Sequence, residues 1–146
     1  MSENVGQQRG SIGMIIERGN PTELFDSVQY GFSQIVVASG TRIISISGQV
    51  AWNADQELIG SDTLYAETTQ ALENLRVALH SVQAELSDVI SLRIYIVDYQ
   101  NEESESISHA LKAFFPEGEA PTATWIGVSC LANPDFRIEI EAMAVV

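Results

Sequence analysis

Cationic side chains are scarce in this sequence: seven lysines and arginines stand against twenty aspartates and glutamates, a formal net charge of −13. Affinity for a nucleic-acid backbone comes mostly from lysine and arginine neutralising phosphates, so nucleic acid is excluded as the principal partner. The bases are Arg9, Arg18, Arg42, Arg76, Arg93, Lys112 and Arg137. An anionic ligand must use one of these or backbone amides. Cysteine occurs once, at Cys130, which rules out an internal disulfide. Its place in an alternating strand predicts a small buried thiol, and a chain without disulfides fits a reducing, cytoplasmic compartment. The two histidines, His80 and His109, share no paired spacing with Cys130, so neither a zinc site nor a cofactor is expected. No stretch approaches the ~18 apolar residues of a membrane span, and Met1 to Ser11 is too polar for a signal peptide. Phosphate loop, nucleophile elbow and dinucleotide glycine fingerprint are all missing. The acids between Asp98 and Glu105 do not follow calcium-loop spacing and read as a solvated charge run.

What is present is enough for one ordinary domain. With 45% hydrophobic and 18% charged residues in 146, the chain is neither disordered nor a charged coiled coil, and a real core is available. Residues 1–10 are polar without periodicity and are expected to form a flexible tail, with a single domain over 11–146. Met14-Ile15-Ile16 is a short strand candidate ending at Gly19-Asn20-Pro21. Gln34 to Ala38 and Arg42 to Val50 are β-branched runs either side of Ser39-Gly40-Thr41, the pattern of a β-hairpin. Gly48 inside the second run marks a bulge or a close approach to the backbone.

Ser61, Asp62 or Thr63 can cap a helix of about twenty residues in which Leu64, Thr68, Ala71, Leu72, Leu75, Ala78, Leu79 and Val82 recur at helical spacing. Glu67, Gln70, Glu73 and Arg76 are then expected toward solvent. Asp88 to Asp98 reads as a strand with Leu92, Ile94 and Ile96 on one face and Arg93, Tyr95 and Val97 on the other. Ile107, Ala110, Leu111, Phe114 and Phe115 define a second helix that Pro116 stops. The last stretch, Pro121 to Val146, holds two strands around the turn Ala132-Asn133-Pro134-Asp135. Ile138, Ile140, Ala142 and Ala144 form an apolar face there, and Arg137, Glu139, Glu141 and Met143 the opposite one. Two helices can cover only one face of such a sheet, which predicts a two-layer α+β domain. Trp125, Tyr95, Glu139 and Glu141 are expected together on the uncovered face, which would serve homo-oligomer assembly.

The segments GFSQIVVASGTRIISISGQV, ETTQALENL, SDVISLRIYIVD and RIEIEAMAV, in this order, resemble the RidA/YjgF family of reactive intermediate deaminases from about Phe32 to the C-terminus. The resemblance implies a chorismate mutase-like fold assembled as a homotrimer, with small-molecule clefts between neighbouring subunits. In the family an arginine holds the carboxylate of a 2-imino acid or enamine, and a glutamate positions the attacking water. Carried over, Glu139 matches that glutamate and is the catalytic candidate. Ser47 and Gly48 match the SGQ segment that lines the cleft, Phe32 stands where a tyrosine is usual, and Trp125 takes a position that is usually small. Ala132 stands where proline is common, and Ala123 occupies the place of the arginine, which marks a divergent member.

Three functional readings follow. The first is a homotrimer binding a small neutral or aromatic metabolite, with hydrolysis assisted by Glu139. The second is an imine or enamine deaminase in which Arg18, Arg93 or Arg137 supplies the missing cation. The third is a non-catalytic interaction protein.

Overall fold

The computed structural model describes the backbone of residues 5–8 and the whole of residues 14–146. The strands are β1 (Val5–Gln8), β2 (Ile15–Gly19), β3 (Ile35–Ser39), β4 (Ile43–Gln49), β5 (Val89–Val97), β6 (Thr122–Val128) and β7 (Ile138–Val145). Between them run helices α1 (Leu64–Ser81) and α2 (Ser104–Phe114). The main sheet has the order β4-β7-β5-β6, and a smaller antiparallel sheet has the order β1-β2-β3. Strands β5 and β6 are parallel, as the helical crossover between them requires, and β7 inserts antiparallel between β4 and β5.

Val5–Gln8 lies within the expected flexible tail but forms β1, with Val5 opposite Arg18, so that β2 is paired on both edges. The other residues of that tail lie outside the described ones.

Helices and sheet meet on one face only. Leu72, Leu75 and Leu79 of α1 and Ile107 and Leu111 of α2 are fully buried, as are Ile94, Ile96, Ile138 and Ile140 beneath them. This is the two-layer α+β arrangement that helical and strand periodicities predict. Thr63 is the cap of α1, its Oγ1 accepting the Ala66 N–H at 3.0 Å.

The expected hairpin over residues 34–50 does not form. β3 pairs with β2, while β4 pairs with β7 in the other sheet. The turn at Gly40 carries the chain across the end of β7, where the N–H groups of Thr41 and Arg42 both donate to the Val146 carbonyl at 2.9 Å. A Cβ on Gly40 would lie 2.6 Å from Val145 Cγ1 and 2.7 Å from Val146 O. The glycine therefore serves close backbone approach rather than a two-strand turn.

The two sheets are joined at their margin by a parallel bridge between Ser33 and Thr122. Arg18, 4% exposed, braces this junction: its Nε donates to the Ala120 carbonyl at 3.0 Å and its Nη2 to that of Ser87 at 3.1 Å.

Glu67 departs from its expected solvent placement. It lies on the buried stripe of α1, three residues after Leu64 and four before Ala71, and is 2% exposed. Its carboxylate accepts the Arg137 backbone N–H at 3.3 Å. Burial raises its pKa above the ordinary carboxylate value, and the bond from Arg137 and that residue's charge oppose the shift. A carboxyl whose pKa is higher folded than unfolded destabilises the fold increasingly as pH rises past the unfolded value. Glu67→Gln is thus expected to raise the melting temperature at pH 7, with the gain shrinking as pH falls toward 4. A gain independent of pH, followed by thermal melts, would rule this out.

Candidate functional site

The uncovered face of the main sheet gathers Arg93, Tyr95, Glu139 and Glu141. Register sets their neighbours: Tyr95 is opposite Glu139, and Arg93 is opposite Glu141. Tyr95 Oη donates to Glu141 Oε1 at 2.5 Å. That bond, with burial and the charge of Glu141, holds the phenol above its ordinary pKa, against an opposing pull from Arg93. Glu141 is thereby occupied, and Glu139 is the second carboxylate of the pair.

Strand β4 bends beside Glu139. Ile46 is opposite Ala142 and Gln49 is opposite Ile140, so Ser47 and Gly48 together oppose a single residue of β7. This is a β-bulge, as the isolated glycine predicts. A Cβ on Gly48 would lie 2.6 Å from Glu139 Cγ and 2.7 Å from Cδ, and closer still to Oε1. The glutamate side chain therefore lies directly against the bare backbone of Gly48, at the edge of the open face, where Ser47 is exposed.

Phe32, Ala123 and Trp125 form a separate group. Ile94 pairs with both Trp125 and Ile140, and residues paired across a ladder share a face, so Trp125 points to the helix-covered side. It packs against the core that includes Ile94 and Ile140. The sequence reading that put Trp125 beside Glu139 is thus corrected: the two residues lie on opposite faces of one sheet. Alternation along a strand tells which of its own residues share a face, but only register tells which face of the next strand that is.

Trp125, Ala123 and Phe32 line a cavity of about 310 Å³ together with Tyr30, Tyr99, Asn101 and Ser104. The rings of Phe32 and Trp125 are 6.2 Å apart, and Phe25 continues the aromatic row 6.2 Å from Phe32 and 6.3 Å from Tyr30. Tyr30 and Tyr99 were not foreseen. Tyr30 sits two residues before Phe32 across a turn, and Tyr99 lies two residues beyond the end of β5, so neither belongs to a periodic run that would have exposed it.

Ala132 is exposed in the loop between β6 and β7 and lines neither group. Cys130 is exposed, not buried, because β6 ends at Val128 and the alternation stops with it. Of the three arginines considered as substitute cations, Arg18 holds the carbonyls of Ala120 and Ser87, and Arg137 is ion-paired to Glu103. Arg93 alone of these stands exposed on the face that carries Glu139. Among the described residues there is no helix long and apolar enough to cross a membrane, and no group of three or more histidine, cysteine or acidic side chains placed to hold a metal ion.

Fold and site define a small α+β protein with a carboxylate laid against a glycine bulge at one margin of a sheet and an aromatic cavity at the other. Residues 26–146 match the family model described as Endoribonuclease L-PSP. The chain is 38% identical to YyfB of Yersinia pestis, a member of the conserved Rid protein family whose crystal structure superposes with a TM-score of 0.86 over 90% of this chain and 98% of that one. The YjgF gene product of E. coli has 25% identity and a TM-score of 0.62, covering 72% of this chain and 81% of its own. A protein of Dermatophagoides farinae named 2-iminobutanoate/2-iminopropanoate deaminase is 27% identical over 115 residues, 79% of this chain and 85% of that protein. The chain belongs to the RidA/YjgF family.

Proposed function

We propose that the protein is a homotrimeric hydrolase of small imines or enamines whose clefts are assembled between neighbouring subunits, with Glu139 as the group that positions and deprotonates water. The observation that carries this reading is the division of the candidate site. Glu139, Ser47 and Gly48 lie on the open face near β4, and Phe32, Ala123 and Trp125 on the covered face at β6. One chain cannot close a cleft from both groups, whereas neighbouring copies can bring one margin against the other. The open face also leaves Ile43, Ile126 and Met143 exposed, at 75%, 36% and 41%, which suits burial against another copy.

The chemistry needs little more than this carboxylate. Water adds to the imine carbon as Glu139 takes a proton from it, and the nitrogen leaves as ammonia once protonated, yielding a carbonyl compound. The deaminase among the relatives is named for a reaction of this class. Ribonuclease chemistry, the description attached to the family model, finds less support. Among the described residues, Arg18 is buried and Arg76 and Arg137 pair with Glu73 and Glu103, which leaves Arg42, Arg93 and Lys112, too few for a basic stripe along an RNA backbone.

The test is ammonia release from imines generated in situ. Glu139→Gln, which keeps shape and hydrogen bonding but cannot take a proton, is expected to lower kcat about 10²–10⁴-fold with the trimer intact by sedimentation. Release equal to that of the unaltered protein would remove Glu139 from the mechanism. Absence of any turnover, with the trimer present, would favour a purely binding protein.

A further inference from the structure

The aromatic cavity carries information about the substrate that the hydrolytic reading leaves open. Tyr30, Phe32, Tyr99, Asn101, Ser104, Ala123 and Trp125 line it, and none of these seven side chains carries a charge. Four of them are aromatic, so rings make up a large part of the wall. A carboxylate entering it would lose its water for no cation, whereas a positively charged or iminium nitrogen would find ring faces that attract it.

The surroundings have the same sign. Ser104 in the wall begins α2, whose positive end would by itself favour an anion. That end is flanked by Glu102, Glu103 and Glu105, against which stand Arg137, paired to Glu103, and Lys112, in the adjoining cavity that shares Tyr30 and Ser104, so acids outnumber bases there. Among the described residues, no lysine or arginine contributes to the cavity wall. The excess of acids at this end of α2 favours a cation over an anion.

Building on the imine-hydrolase reading, we infer that the cavity selects a ring-bearing or branched imine that lacks a carboxylate, held as its iminium cation against Trp125 and its aromatic neighbours. Water and the iminium R–CH=NH₂⁺ then give R–CHO and NH₄⁺, which balances without an oxidant at this site. The reaction that supplies such a substrate is the two-electron oxidation of a primary amine, a hydride passing to the flavin or nicotinamide of a separate enzyme. Oxidation of an α-amino acid would supply the carboxylate-bearing imine that this cavity disfavours.

The experiment uses two stable probes of matched length, 2-phenylethylammonium and 3-phenylpropanoate, titrated calorimetrically into the intact oligomer. The ammonium is expected to bind about tenfold or more tightly than the carboxylate, a preference of the size that ring–cation contact supplies. Trp125→Ala should abolish that preference, and Tyr99→Ala should reduce it where the tryptophan variant fails to assemble. Equal or tighter binding of the carboxylate overturns the inference, as does failure of the ammonium to bind. Repeating the titration with Arg93→Ala identifies the source of any carboxylate preference, since Arg93 is the exposed arginine on the face of Glu139. Ammonium selectivity in a protein that turns over no imine would leave this assignment standing and remove the hydrolytic reading alone.

Discussion

Ile94→Ala is expected to lower stability by about 3–4 kcal/mol and the melting temperature by about 10 °C, the largest effect of any single truncation proposed for this chain. Ile94 is fully buried at the middle of β5, the strand that pairs with β6 on one side and β7 on the other. It stands between Trp125 and Ile140 on the face beneath the helices. Removing three carbons there forfeits their transfer energy and opens a cavity that the strands cannot close, because both flanking ladders fix their spacing. Domains of this size are held by only ~5–15 kcal/mol, so the loss is a large share of the whole. Val77→Ala is the matched control: Val77 is 64% exposed on α1, and the change should stay within about 0.5 kcal/mol while favouring the helix slightly. Chemical denaturation of both variants decides it. Equal midpoints would mean that β5 is not the centre of the core.

The layer arrangement was legible because it rests on periodicity. Leu72, Leu75 and Leu79, or Ile138 and Ile140, announce their buried faces by spacing alone, and Pro116 and Thr63 mark helix ends through local chemistry. What the sequence hid was pairing. Gly40 between two β-branched runs reads as a hairpin, yet its neighbours bond the C-terminal carbonyl of a strand a hundred residues later, a contact for which no local signal exists. Trp125 was placed on the wrong face for the same reason, since strand alternation is blind to register across a crossover. Glu67 misled in another way: its charge argued for solvent while its position, between Leu64 and Ala71, argued for the core, and packing decided the contest. Of the candidate site, Glu139 lies against Gly48, while Tyr30 and Tyr99 emerged only from the cavity they line.

The juxtaposition of Gly48 and Glu139 yields a change that separates function from folding. Gly48→Ala is expected to reduce imine turnover about a hundredfold or more while leaving the melting temperature within a few degrees of the unaltered protein. The added methyl would sit 2.6–2.7 Å from Cγ and Cδ of Glu139, well inside van der Waals contact. What must yield is the end of a flexible side chain rather than backbone, so the strand persists and the carboxylate swings away. Gly48 is not among the glycines with positive φ, so alanine is conformationally admissible, and the entropy it removes from the unfolded chain offsets part of the local crowding. Loss of turnover with an unchanged thermal transition and unchanged sedimentation would tie catalysis to the position of Glu139 rather than to the integrity of the sheet. Retained turnover would mean that the carboxylate works from another rotamer or not at all, and parallel measurement of Glu139→Gln distinguishes the two: a silent glutamine variant indicates a relocated carboxylate, and an active one removes Glu139 from the chemistry.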